Sequence, residues 1–436
     1  MTFRVKFSEQ GDSFRARFGE VQNISAGGFE RGYAAGYEDG LDYKPPTIYE
    51  KDVNFYDYDG ALLHSFTKEE FLSLIELPKL PTQNGLICQE WNWSLEGAKN
   101  YVGKYGKCRI GATYITDDGA TRIYITLSTE AQLEFSIACN VSYGGSLIVD
   151  WGDESPTETN QATGNQEFTH TYAKLGSYVV SLFPDDRTSL VLSWDSSSSN
   201  ILGALTKNEY GYRRSAVKKL EIGKSVKRFG SYSLQGFPSV TSVTFPNTVT
   251  SFGHFSLATS SPAIVLPKST ETIATYIFNG AFGLHCLVYP EGLSTIPNNS
   301  TGGLSSLDKM YIPEGATEIG NSAFSGCLAI ADVIIPDGVL KIGSSAFQGC
   351  RSLSVIKFPS SVTTIKSAAF SNCHSMKVYD FTKHIFVPTL ESADAFSGIH
   401  ADCKIRVPAT LYDEWVSATN WSNYASQIKP ISEWEE

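Results

Sequence analysis

The chain opens on FRVKF and, across the turn SEQGDS, FRARF. Phe3, Val5 and Phe7, then Phe14, Ala16 and Phe18, fall on one face, with Arg4, Lys6, Arg15 and Arg17 on the other, an alternation that predicts a β-hairpin. A lone hairpin is marginal in water, so this one is expected to pack on a neighbour or on a second copy of itself. Residues 1–43, hairpin plus the spacer GGFERGYAAGYEDG, are read as an attachment segment.

Residues 44–127 change period. Thr67 and Glu70 form a capping box ahead of KEEFLSLIEL, a helix expected to stop at Pro78, and Ser94 caps a second helix through LEGAKNYVGKYG. ATYITDDGATRIYITL predicts a hairpin turning at Asp117-Asp118-Gly119, which completes a small α+β module. Residues 128–190 return to strand alternation in SLIVDWGDESPTE and FTHTYAKLGSYVVSL, and 191–216 read as a connector.

From about residue 217 the pattern repeats. Prolines after an apolar residue stand at 246, 267, 290, 313, 336 and 359, a step of 21 and then of 23. Within LSVIKFPSSVTTIKSAAFSNC, Leu353, Ile356 and Phe358 alternate along a strand, Val362 and Ile365 mark a second inward turn, and Ala369, Phe370 and Cys373 a third. One such unit cannot close a core, so the coils of residues 217–400 are expected to stack, with 401–436 as an aromatic, helical cap. Coils over 247–303 keep the spacing and lose the Ala-Phe-x-x-Cys corner. The predicted fold class is mainly β: hairpin, small α+β module, a β-strand unit that the resemblance given below implies is an immunoglobulin-like β-sandwich, then a repeat solenoid with a C-terminal cap.

The same translation relates Phe324, Phe347 and Phe370, and Cys327, Cys350 and Cys373. These residues are read as a structural ladder whose thiols are reduced and buried. Neighbouring coils lie about 4.8 Å apart, too far for an S–S bond of about 2.05 Å. The eight cysteines include no Cys-x-x-Cys pair, so no metal and no cofactor is expected.

Composition narrows the partners. The 436 residues are 42% hydrophobic, enough for several cores, and Phe (25), Tyr (22) and Gly (37) against Met (3) suit strands and turns. A net charge of -11 without a basic run longer than two residues excludes nucleic acid. No apolar run reaches 18 residues, so no membrane insertion is expected. MTFRVKFSEQ lacks the apolar stretch of a signal peptide, which implies synthesis in a cytoplasm.

Candidate chemistry is sparse. Asp57-x-Asp59-Gly60 invites comparison with the nucleophile loop of haloacid-dehalogenase phosphatases, where one Asp attacks phosphorus, the second is acid and base, and Mg²⁺ bridges them. The doubly wound sheet and the distant Lys and acidic motifs are missing, so the pair is read as a turn and the chain as no enzyme. Asp117-Asp118 and Asp185-Asp186 also sit in turn contexts. What remains is surface. The outward position two before each proline reads Thr244, Val265, Val288, Tyr311, Ile334 and Lys357, continued by Asp380 and Arg406. This ladder is the candidate binding face.

The repeats resemble the BspA-type leucine-rich repeat. Residues 128–190 resemble the PKD domain through Trp151-Gly152-Asp153, His170-x-Tyr172 and Gly176-x-Tyr178-x-Val180-x-Leu182. The resemblance implies a sandwich core around Trp151, Asp153, His170, Tyr172 and Tyr178. Glu154 stands where that family has glycine, which implies a different turn. The order of segments is similar to prophage-encoded or surface adhesion proteins of gut Firmicutes. That implies a receptor-binding protein of a phage tail, located on the virion or outside the cell. Its array would contact a host-surface protein or glycan, and its N-terminus other tail or particle proteins. The alternatives are a bacterial surface or secreted adhesin and a Mg-dependent phosphatase through Asp57 and Asp59. Monomer or homo-oligomer stays open.

Overall fold

The structure is a computed structural model and describes residues 4–6, 13–15, 49–141, 146–185, 188–192 and 214–431. The Gly/Tyr spacer, most of the connector at 191–216 and the last five residues lie outside the described residues. Two units are distinct, residues 1–47 and 48–436. In the first, β1 (Arg4–Lys6) pairs antiparallel with β2 (Ser13–Arg15), Val5 opposite Phe14.

The second unit begins with β3 (Val53–Tyr56), β4 (Leu62–Phe66), α1 (Lys68–Leu72), β5 (Leu86–Trp91), α2 (Leu95–Tyr105) and β6 (Cys108–Thr116). The strands form one sheet in the order β4-β3-β6-β5. Thr67 and Glu70 make the capping box. α1 nevertheless ends at Leu72 rather than at Pro78, because the Ser73 hydroxyl turns back to the Glu70 carbonyl (2.7 Å) and Leu74, Leu77 and Leu80 pack on the module core. Ser94 caps α2, and Gly106 stops it at φ 84°.

The expected hairpin over 112–127 is not formed. β6 lies between β3 and β5, whereas β7 (Thr121–Leu127) leaves the module and joins another sheet. Arg122 fixes the divergence, reaching Asp118 at 2.7 Å behind the turn and lying 3.8 Å from Glu221 ahead of it.

β8 (Glu134–Val141), β9 (Leu147–Asp150), β10 (Glu158–Asn160), β11 (Gly164–Thr171), β12 (Gly176–Pro184) and β13 (Leu190–Leu192) complete two antiparallel sheets with β7. Their orders are β10-β9-β12-β7 and β11-β8-β13. Neither sheet ends there. β14 (Val217–Glu221) adds to β7, and β15 (Val226–Phe229) adds to β13, so each sheet runs on into one row of coil strands. The boundaries expected at 128 and 217 are therefore absent: a single apolar core extends from Ile123 to Ile428. The two-sheet unit closes the first coil, as an open stack requires.

Beyond it the coils stack in register. Ile319 pairs with Ile342, Ile342 with Ile365, and Ile365 with Leu390, all in parallel. At the third corner the backbone is left-handed at Phe255, Tyr276 and Asn299 as at Ser322, Ser345 and Ala368. The coils that lost the sequence corner thus keep its geometry. Phe324, Phe347 and Phe370 are fully buried and stacked, ring centroids 5.2 Å apart at each step. Phe396 continues the stack at 5.5 Å.

Cys327, Cys350 and Cys373 lie beside this stack as free, buried thiols. Each donates across the coil boundary: Cys327 to the Thr301 carbonyl (3.1 Å), Cys350 to Phe324 and Cys373 to Phe347 (both 3.2 Å). Burial pushes Cys327 and Cys373 up to about 12 and Cys350 well above the usual thiol value.

The far end is closed by α3 (Tyr412–Ser417) with buried Trp415 and Trp421. Contrary to a purely helical cap, the segment Ile428–Ile431 returns as a parallel strand on Lys404–Pro408.

Candidate binding face

The prolines that mark the repeat have a second consequence. In a parallel ladder alternate residues bond to the next strand, the amide donating to the residue one before its opposite number and the carbonyl accepting from the residue one past it. Ala263, Ile264 and Val265 face Cys286, Leu287 and Val288, and the Leu266 amide donates to the Val288 carbonyl (3.0 Å). The Leu266 carbonyl therefore faces Pro290, which has no N–H. The same register sets Tyr289 against Pro313 and, one step on, Ile312 against Pro336. Three consecutive carbonyls lack ladder donors, and buried carbonyls need partners.

The α+β module supplies them. Asn92 Nδ2 donates to the Leu266 carbonyl (3.0 Å), Trp93 Nε1 to Tyr289 (3.0 Å) and the Tyr101 hydroxyl to Ile312 (2.9 Å). Close approach is secured by Gly111, where a Cβ would stand 2.3 Å from Val265 Cγ1. Val265 and Val288 are accordingly buried at 3% and 1% exposure, in a small cluster with Tyr56, Ala263 and Cys286. Tyr311 lies under the Arg109 guanidinium, 4.6 Å from ring centroid to Cζ, and Ile334 packs on the module core.

Charge pairs rim this contact. Lys104 meets Glu314, Lys107 meets Asp332 (3.1 Å), and Glu50 holds Lys309 with Arg109 at 4.0 Å. Glu291 is the most enclosed of these carboxylates. Its carboxylate accepts from the Ser94 amide (3.1 Å) and hydroxyl (2.9 Å) at the start of α2 and pairs with Lys268 (3.0 Å). Burial pushes this carboxyl up, and the Lys268 and Ser94 hydrogen bonds outweigh it, leaving the group below its ordinary value.

The expected eight-residue ladder is thus divided. Val265, Val288, Tyr311 and Ile334 are covered by the chain's own module, and Thr244 is buried, its Oγ1 accepting from the Ile222 amide (3.1 Å). These positions are closed to a partner. Lys357, Asp380 and Arg406 stay together on an uncovered stretch: they are opposite one another in the parallel strands Val355–Lys357, Val378–Asp380 and Lys404–Pro408, and Lys429 extends the row. Sequence periodicity placed the row and missed its cover. Gly111 within a strand was the available signal, since such a glycine often marks close approach of another backbone.

The other candidates resolve into structure. Asp57 is buried and accepts from the Tyr58 amide and the Gln83 side chain (both 2.8 Å), while Asp59 accepts from the Ala61 amide (3.0 Å). Both carboxylates hold the β3–β4 turn. Asp118 caps the Ala120 amide and Asp185 the Ser146 amide, each at 3.0 Å; Asp186 lies outside the described residues. In the two-sheet unit, His170 Nε2 and Asp153 are 2.7 Å apart and Trp151 stacks on His170. The Tyr172 hydroxyl donates to the Trp151 carbonyl (2.9 Å), and Tyr178 packs on Tyr172 at 4.3 Å. Glu154 adopts φ 65°, the conformation a glycine would take there. Among the described residues no three His, Cys, Asp or Glu side chains are grouped to hold a metal, and no helix is long and apolar enough to cross a membrane.

Residues 206–330 and 271–405 match the BspA type leucine rich repeat region, in six copies, so the repeat part of this chain is of that type. A leucine rich cell surface protein from Faecalibacterium prausnitzii is 20% identical, over 52% of this chain and 62% of its own, with a TM-score of 0.31. This chain spans less than two thirds of that protein. The leucine rich repeat protein of T. pallidum is 22% identical over 37% of this chain and 74% of its own, TM-score 0.28. The pneumococcal vaccine antigen PcpA is 16% identical over 50% and 68%, TM-score 0.32. No match is found among curated proteins.

Proposed function

We propose that this chain is a non-enzymatic binding protein that adheres to a host-surface protein or glycan through the uncovered end of its repeat face. The observation that carries the reading is the division of that face: four rungs are consumed by internal packing, and Lys357, Asp380 and Arg406 are presented without cover. A rigid sheet row held by a closed core is the kind of surface repeat arrays use for recognition.

The order of segments supports a finer reading, a phage or prophage tail protein in which residues 1–43 attach the chain to the particle and the two-sheet, PKD-like unit both spaces and caps the array. The test uses the full chain, because a fragment starting at 217 would open the shared core. Labelled protein is incubated with a panel of intact bacterial and epithelial cells. Saturable adhesion to some of them, undiminished by deletion of residues 1–43, is expected; adhesion equal to that of an unrelated repeat protein overturns the reading. Loss of the deleted chain from purified phage particles would favour the tail over a bacterial surface adhesin.

A further inference from the structure

The two halves of the repeat face differ in how their charges are paired. On the covered half, Glu291 of the coils pairs with Lys268 of the neighbouring coil, and Glu314 and Asp332 pair with Lys104 and Lys107 of the module. On the open half the coils carry Lys357, Lys377, Lys404, Arg406 and Lys429, and among the described residues none of these is in an ion pair. The carboxylates present there are Asp380, which accepts from the Thr382 amide (3.0 Å) and hydroxyl (2.6 Å), and Asp402, 3.4 Å from His400. Beside the rungs runs an open groove of about 580 Å³, lined among others by His374, Lys377, Val378, His400, Asp402 and Lys404. A chain of net charge -11 therefore concentrates unpaired cations on one short stretch of sheet.

We propose that this stretch binds an acidic polysaccharide, laid across the rungs with its anionic groups on Lys357, Lys404, Arg406 and Lys429 and its backbone over the groove. The inference rests on the adhesion reading and names the ligand class. Two physical arguments select it. A protein partner needs an apolar, usually aromatic centre to its interface, with charge at the rim. Here the exposed side chains on the rungs are charged apart from Val355, 39% exposed, and Pro430, with Val378, Pro408 and Ile431 half-buried, and none of them is aromatic. Duplex nucleic acid is too highly charged: four rungs span about 14 Å, over which it presents about eight phosphates. Five cations on an acidic protein do not match that density. An acidic polysaccharide carries its anions sparsely along the chain, and Arg406 can take a carboxylate or sulfate through two parallel hydrogen bonds.

The test measures retention of the full chain on immobilised polygalacturonate, sulfated dextran, neutral dextran and duplex DNA at graded salt. Retention on polygalacturonate or sulfated dextran, lost as salt rises and absent on neutral dextran, is expected, and the stronger of the two assigns carboxylate or sulfate. The variant Lys357→Ser/Lys404→Ser/Arg406→Ser should bind about tenfold more weakly. A control, Lys224→Ser/Lys227→Ser, changes two lysines far along the array and should match the wild type. No retention on either acidic polymer, equal retention on DNA, or an unchanged triple variant overturns the inference. Cell adhesion by the wild type, measured in parallel, separates the outcomes: adhesion without polysaccharide binding sinks this inference and leaves the adhesion reading standing.

Discussion

Trp93 Nε1 donates to the main-chain carbonyl of Tyr289 at 3.0 Å, across 196 residues of sequence. The bond exists because Pro313 cannot donate to that carbonyl. Trp93→Phe keeps the ring in place and removes the shorter donor, leaving the buried acceptor with only the long bond from Asn92 Nδ2 (3.4 Å). A loss of about 1 kcal/mol is expected. Urea unfolding followed by fluorescence measures it, with faster proteolysis within residues 49–116 as the local sign. Unchanged stability would mean that Asn92 alone satisfies the carbonyl.

Gly111 sits against Val265 with no room for a Cβ. Gly111→Ala should weaken docking of the module by about 1–3 kcal/mol through overpacking. Val265→Ala removes the opposing methyl groups, so the double variant should recover part of the loss, a coupling of about 1 kcal/mol or more. Additive losses would place the strain elsewhere.

Glu291 sets a pH dependence. Its carboxyl lies below the ordinary value in the folded chain, so its contribution is complete above the usual carboxylate range and is lost as pH falls through the folded value. Acidification should release the module from the coils, seen as protease sensitivity between residues 49 and 116. Glu291→Gln should already be weakened at neutral pH and should flatten that part of the profile. An identical acid profile in the variant would assign the titration to another group.

The three ladder thiols should be silent. Cys327, Cys350 and Cys373 are fully buried, hydrogen-bonded to the preceding coil and shifted far above neutrality by burial. A thiol reagent at pH 8 should leave all three unmodified in the native protein and label them in urea, as read by peptide mass. Rapid native labelling would contradict the packed stack. Phe347→Ala, which empties the centre of the stack between Phe324 and Phe370, should cost about 3–5 kcal/mol.

The repeat was legible because one translation carries proline, phenylalanine and cysteine together, and a coil cannot bury its apolar residues without the next. The coils without the Ala-Phe-x-x-Cys corner were still coils, because Phe255, Tyr276 and Asn299 hold the same left-handed corner. Two features were hidden for a common reason. The merging of β7 with β14 and the docking of Asn92, Trp93 and Tyr101 join segments about 100 to 200 residues apart. Periodicity reports which side of an element is apolar and says nothing of which distant element covers it. Outward-facing Val265 and Val288 therefore read as binding residues when they are interface core.

Binding through the uncovered rungs is the central proposal for this chain. The direct measurement compares adhesion of the wild type, Lys357→Glu/Arg406→Glu and Lys224→Glu/Lys227→Glu to the same cells at equal folded concentration. The first variant should lose at least about tenfold in affinity while the second adheres as the wild type does. Equal adhesion by all three would contradict the claim and move the contact off the repeat face.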